Sequence, residues 1–177
     1  MVLKIPARYG LCLMLVVGSI YQVVNCSEEQ DDKDEGLDSE AEAEEFGVQS
    51  LIDFKRMINC ATGRSSLYYI KYGCYCGLGG RGKPVDATDR CCKAHDDCYT
   101  RAKKSSGCGT LQVYYLPYKR SGCTGCSSIS SYGSDRNARC KYALCQCDGE
   151  AAKCFARNRS SYNMGYYLYP RWRCWLG

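Results

Sequence analysis

The chain has 177 residues, 16 cysteines, one histidine and a formal net charge of +5. That length fits one domain with processed ends. The leading apolar run, Leu11 to Val24, is shorter than the roughly 20 residues a spanning helix needs, which argues against a membrane anchor there.

In chain order, Lys4 and Arg8 precede that apolar run, the pattern of a secretory signal, with a cut expected after Cys26. Residues 1–26 are therefore expected to be removed on export. Residues 27–49 carry 11 of the 19 acidic residues, all between Glu28 and Glu45, against Lys33 alone. No apolar periodicity runs through them, so a disordered acidic propeptide or a permanent acidic arm is expected. The remaining core, residues 50–177, keeps 21 basic and 8 acidic residues, about +13. A core this cationic attracts polyanions, and charge alone does not choose among lipid, sulfated glycan and nucleic acid. The acidic segment is expected to shield that charge before activation.

Ser50 to Cys60 places Leu51, Phe54, Met57 and Ile58 at helical spacing, which predicts a short amphipathic helix. Tyr72 to Val85 is dense in glycine and reads as a loop with unusual backbone conformations. Asp86 to Lys104 and Arg139 to Arg157 read as helices. Between them, Cys108 to Arg136 is rich in Ser, Gly and Tyr and is expected to hold a short hairpin and a long mobile insert.

The core contains 14 cysteines, an even number that predicts seven disulfides in an exported domain. Spacings such as Cys74-x-Cys76 and Cys123-x-x-Cys126 also suit zinc, but an oxidising compartment favours disulfides over thiolate ligands. Cys91 and Cys98 are seven apart on one helix face, as are Cys147 and Cys154. Two rungs, Cys91–Cys154 and Cys98–Cys147, would join antiparallel helices; a parallel pairing satisfies the spacing equally. The antiparallel arrangement brings Asp148 close to His95, a histidine and a carboxylate on rigid, pinned elements.

The run Asp89-Arg-Cys-Cys-Lys-Ala-His95-Asp96-Asp97-Cys-Tyr99 follows Tyr72-Gly-Cys-Tyr75-Cys-Gly77-Leu-Gly79-Gly80-Arg-Gly82. Together with Cys145-Gln-Cys-Asp148-Gly-Glu and Ser161-Tyr-Asn-Met-Gly-Tyr-Tyr-Leu-Tyr-Pro170, these residues resemble the secreted phospholipase A2 family over nearly all of Ser50 to Cys174. The resemblance implies a mainly α fold: two long antiparallel disulfide-linked helices, an N-terminal amphipathic helix, a glycine-rich calcium loop and a small β-hairpin. It implies calcium-dependent hydrolysis of the sn-2 ester of glycerophospholipids at a membrane interface. His95 then corresponds to the base acting on water and Asp148 to the carboxylate that orients it. Tyr99 and Tyr115 correspond to phenols hydrogen-bonded to Asp148. Calcium is expected on the Asp96 carboxylate and the backbone carbonyls of Tyr75, Gly77 and Gly79, since a hard cation takes several oxygen ligands. The ion would bind the substrate phosphate and stabilise the oxyanion, with the Gly77 N–H as second donor.

The family's pairing also implies Cys60–Cys123, Cys74–Cys174, Cys76–Cys92, Cys91–Cys154, Cys98–Cys147, Cys108–Cys140 and Cys126–Cys145. Leu51, Ile52, Phe54, Leu78, Trp172 and Trp175 are expected at the lipid-facing surface, ringed by Lys55, Arg56, Arg81, Lys83 and Lys93; the tryptophans alternatively pack around Cys174. The expected partner is an anionic phospholipid surface and not nucleic acid, with the protein a secreted monomer. The competing expectation is a cationic membrane- or receptor-binding toxin acting without catalysis. Loss of the aspartate after the histidine marks that class, and here Asp96 is retained.

Overall fold

A computed structural model describes residues 49–175 in full, together with the backbone of strands β1 (Val2–Ala7), β2 (Gly10–Val17) and β3 (Ile20–Cys26). The chain divides into two units, residues 1–37 and 38–177. In the first, β1, β2 and β3 form an antiparallel sheet in that order, β1–β2 running from Val2↔Leu15 to Ala7↔Gly10. The expected export signal falls on this unit. Its run of Val16, Val17, Ile20, Val23 and Val24 is β-branched, which suits strands. The expected acidic arm lies, but for Gln49, outside the described residues.

The second unit is built on three helices, α1 (Gln49–Thr62), α2 (Ala87–Ser105) and α4 (Ala138–Arg157), and α4 packs against both of the others. Each lies within two residues of its expected bounds. The apolar stripe of α1 buries Met57 and Ile58 against Val113, Leu144, Ala152 and Phe155. Between α2 and α4 the chain makes a single helical turn, α3 (Gln112–Tyr115), and a two-stranded hairpin of β4 (Arg120–Ser121) and β5 (Gly125–Cys126). The insert after it is tied down: Tyr132 Oη accepts from Lys119 N at 2.7 Å, and Lys141 pairs with Asp135 at 2.8 Å.

All seven expected disulfides are present. The rungs Cys91–Cys154 and Cys98–Cys147 settle the helix direction as antiparallel. Cys74–Cys174 closes the longest loop, a separation of 100 residues, the kind that most restricts the unfolded chain.

The glycine-rich segment is fastened to α2 by one acid. Asp89 is fully buried and accepts from Cys74 N and Tyr75 N, both at 2.8 Å, and from Val85 N at 3.0 Å. Three backbone donors fill a carboxylate that burial would otherwise penalise. Gly73 makes this approach possible, because a Cβ there would lie 2.4 Å from Asp89 Cγ and its φ is +57°. Below it, Asp86 caps α2 by accepting from Asp89 N at 2.8 Å, and takes a short hydrogen bond from the Tyr72 hydroxyl.

Asp89→Ala strands three N–H groups and is expected to lower the unfolding free energy by about 3–5 kcal/mol. Asp89→Asn, which keeps one acceptor, should cost less. Denaturant titration with the disulfides intact measures both.

Candidate active site

His95 extends from α2 and Asp148 from α4, one residue beyond the Cys98–Cys147 rung. His95 Nε2 lies 2.6 Å from Asp148 Oδ1. A carboxylate that accepts places the imidazole hydrogen on Nε2, leaving Nδ1 with its lone pair and no partner among the described residues. Phe54 of α1 stacks on the imidazole at 4.4 Å with 19° between the planes, and Tyr99 packs on it at 4.3 Å. The ring is thus set in position and tautomer by three helices.

Two phenols complete the carboxylate. Tyr99 Oη donates to Asp148 Oδ1 at 2.7 Å, as expected from the sequence. The second is Tyr118, whose Oη donates to Oδ2 at 2.5 Å, and not Tyr115. The turn of α3 buries Val113 and leaves Tyr115 47 % exposed; the chain then extends, so that Leu116 and Tyr118 point inward, Tyr118 only 6 % exposed. That alternation across Pro117 was the available signal. Burial, and then the Asp148 charge, push both hydroxyls well above the ordinary tyrosine range, so they stay protonated donors.

Asp96, next to His95, turns toward the glycine-rich loop. A Cβ on Gly80 would lie 3.0 Å from Asp96 Oδ2 and 2.9 Å from Tyr75 Cα, so the loop curls against this carboxylate with room only for hydrogen. Among the described residues nothing donates to the Asp96 side chain, and nothing donates to the carbonyls of Tyr75 or Gly77. Burial pushes the Asp96 carboxyl up to about 6. A desolvated carboxylate beside carbonyl oxygens with free lone pairs is the donor set of a hard cation, so Asp96, Tyr75 and Gly77 fit calcium. So does Gly79, whose carbonyl accepts one hydrogen bond, from Arg171 at 3.3 Å, and keeps a second lone pair. The grouping of Asp89 with Cys76 and Cys92 does not. Its two sulfurs are bonded to each other, and Asp89 is filled by backbone N–H groups.

The rim is apolar. Leu78 at the loop tip is 78 % exposed, Trp172 is 56 % and Trp175 64 %, and Leu51 is exposed one turn before Phe54. Ile52 is a correction: at 4 % exposure it belongs to the core, since the helix turns it inward with Met57. Lys93 pairs with Asp97 at 2.7 Å. A further exposed apolar set was missed: Leu67, Tyr68 and Ile70, with Met164 and Leu168. These two segments are joined by Tyr162 Oη donating to Tyr68 O at 3.0 Å and Tyr169 N to Lys71 O at 3.2 Å. Short 3₁₀ turns give no periodicity to betray them. Among the described residues, no helix is long and apolar enough to cross a membrane.

The sequence model of the phospholipase A2 family matches residues 51–167. The chain is 46 % identical over 126 residues to "Phospholipase A2, membrane associated" of Mus musculus, covering 71 % of this chain and 81 % of that protein. It is 45 % identical over 125 residues to "Acidic phospholipase A2" of Micrurus dumerilii, covering 71 % and 99 %. Against "Phospholipase A2 AP-PLA2-I" of Acanthaster planci it is 41 % identical over 138 residues, covering 72 % and 87 %.

Two outcomes follow from this geometry. Tyr118→Phe should lower stability by about 1.5–3 kcal/mol, as for a lost hydrogen bond to a charged group, whereas Tyr115→Phe should change it by less than about 0.5 kcal/mol. Because the folded Asp96 carboxyl sits above its ordinary value, its charged form burdens the calcium-free fold at neutral pH, and the burden lifts as pH falls through about 6. Asp96→Asn should therefore be more stable than wild type without calcium at pH 7.5, by about 1 kcal/mol after allowing for solvent screening. The gap should narrow as pH falls through about 6 and close below about pH 4, the ordinary carboxylate range; thermal unfolding across this range measures it.

Proposed function

The chain belongs to the phospholipase A2 family, enzymes that hydrolyse phospholipids, and from that premise we propose that His95, Asp148 and the glycine-rich loop cut the sn-2 ester of glycerophospholipids at a membrane surface. The observation that carries this is the imidazole with Nε2 on a buried carboxylate and Nδ1 unpartnered, beside the desolvated Asp96.

Nδ1 of His95 takes a proton from water as its oxygen attacks the ester carbonyl carbon. The imidazolium formed is stabilised through Nε2–H by Asp148, whose charge is held in place by Tyr99 and Tyr118. The same proton then passes to the leaving alkoxide, so that a fatty acid and a lysophospholipid depart. Phe54, flat on the imidazole, limits water to the open edge of the ring. The Gly77 N–H would donate to the carbonyl oxygen as charge develops there. Calcium, on Asp96 and the carbonyls of Tyr75, Gly77 and Gly79, supplies when bound the positive charge for the substrate phosphate and the ester oxygen.

The apolar rim of Leu51, Leu78, Trp172 and Trp175 supports seating on lipid, and the cationic core supports a preference for anionic bilayers. Seven disulfides support an extracellular enzyme; we take it to act as a monomer freed from residues 1–26, the signal marked by Lys4, Arg8 and the apolar run, with 27–49 an acidic arm or propeptide. Retention of Asp96 favours the enzyme over a binding-only toxin.

Fatty-acid release from phosphatidylglycerol vesicles should require calcium, stop in EGTA, and fall at least about a hundredfold in His95→Gln. Hydrolysis that survives the substitution removes His95 from the base role. Wild type should also cut phosphatidylglycerol faster than phosphatidylcholine vesicles at physiological salt; equal rates count against the anionic preference.

A further inference from the structure

The glycine-rich loop is held from a second side by a residue far away in sequence. Arg171 Nη1 donates to Cys74 O at 3.1 Å and to Gly79 O at 3.3 Å, and Nη2 donates to Cys76 O at 3.3 Å. The carbonyls of Cys74 and Cys76 alternate along the chain with those of Tyr75 and Gly77, which accept nothing among the described residues. Arg171 opens the 3₁₀ turn Arg171–Trp175, which is bonded to the loop through Cys74–Cys174. A Cβ on Gly82 would meet Cys174 O at 1.8 Å, so turn and loop are in direct contact. Arg81 of the loop also lies under the Trp175 ring, 5.4 Å from its centroid.

We propose that Arg171 is a positioning residue for the cation site: its guanidinium gathers the outer carbonyls of the loop and so leaves those of Tyr75 and Gly77 to converge beside Asp96. This rests on the assignment of calcium to that loop. A planar fork with five N–H donors reaches three carbonyls at once, which an ammonium cannot do in the same geometry. Gly79 O has a second lone pair, so accepting from Arg171 does not prevent it from ligating. Asp89 fixes the N–H groups of Cys74 and Tyr75 on the other side, so the loop is gripped through its donors by an acid and through its acceptors by a base. The positive charge of Arg171 itself opposes a second cation, and the proposal is that shaping the cage outweighs that repulsion.

Calcium titration calorimetry on the disulfide-intact protein, with the calcium-dependent rise in Tm as a second readout, tests this on wild type, D96N, R171K, R171M and R173K. R171K, which keeps the charge and loses the fork, should bind calcium about tenfold more weakly, and R171M at least as weakly. R173K should stay within about twofold of wild type, because Arg173 stacks on Tyr169 and Trp172 and touches no loop carbonyl. Wild-type affinity in R171K, or tighter binding in R171M, overturns the positioning role and makes the charge the operative property. Loss of the native near-ultraviolet circular dichroism in calcium-free R171K also overturns it, since Arg171 is then a general support of the fold. A wild type that fails to bind, or D96N that binds equally, overturns the cation site and the role of Arg171 with it.

Discussion

Asp148 is wholly enclosed, and the interior tolerates such a carboxylate only when its lone pairs are filled. Three donors fill them, from two parts of the chain: an imidazole on α2, a phenol one turn further along α2, and a phenol on the extended segment leading into the hairpin. The acid therefore knits together the elements that meet around it, and chemistry and architecture share one set of hydrogen bonds. Displacing any of the three donors leaves a buried acceptor short, which is why the imidazole has one orientation. The two cystine rungs remove the remaining freedom by preventing α2 from sliding along α4.

The glycine-rich loop follows the same logic with the polarity reversed. It has little side-chain mass to pack, so its conformation is imposed through the backbone. Asp89 collects N–H groups from beneath, and Arg171 collects carbonyls from outside. Glycine at 73 and 80 is what lets acid and loop come so near. Asp96 differs from Asp89 in a telling way: of similar chemistry and only two helical turns away, its side chain has no donor among the described residues. One aspartate builds the loop, and the other keeps its lone pairs open toward it.

Much of this was legible in the chain. Helical spacing located α1, α2 and α4, and paired cysteines seven apart aligned the last two, leaving only their direction open. Once direction is known, the neighbourhood of His95 and Asp148 follows. Tyr118 was harder, because the choice among tyrosines depends on where the turn of α3 stops, and a single helical turn carries no periodicity. Ile52 was misplaced since helical spacing says that a face is apolar but not how far around the helix burial extends; Leu51 and Ile52 are adjacent and fall on opposite sides of that limit. Arg171 lies 97 residues from Cys74, and guanidinium-to-carbonyl contacts depend on backbone geometry that residue types do not encode.

The cystines have a consequence for where such a protein is safe to make. Those that flank the imidazole, the acid and the loop are the same ones that define the fold: Cys91–Cys154, Cys98–Cys147, Cys76–Cys92 and Cys74–Cys174. In a glutathione-reduced cytosol these bonds do not persist. A phospholipid-cutting chain held in the cytosol thus lacks the frame that assembles its cutting edge. Thiol chemistry acts as a lock on self-harm, opened by crossing into an oxidising space.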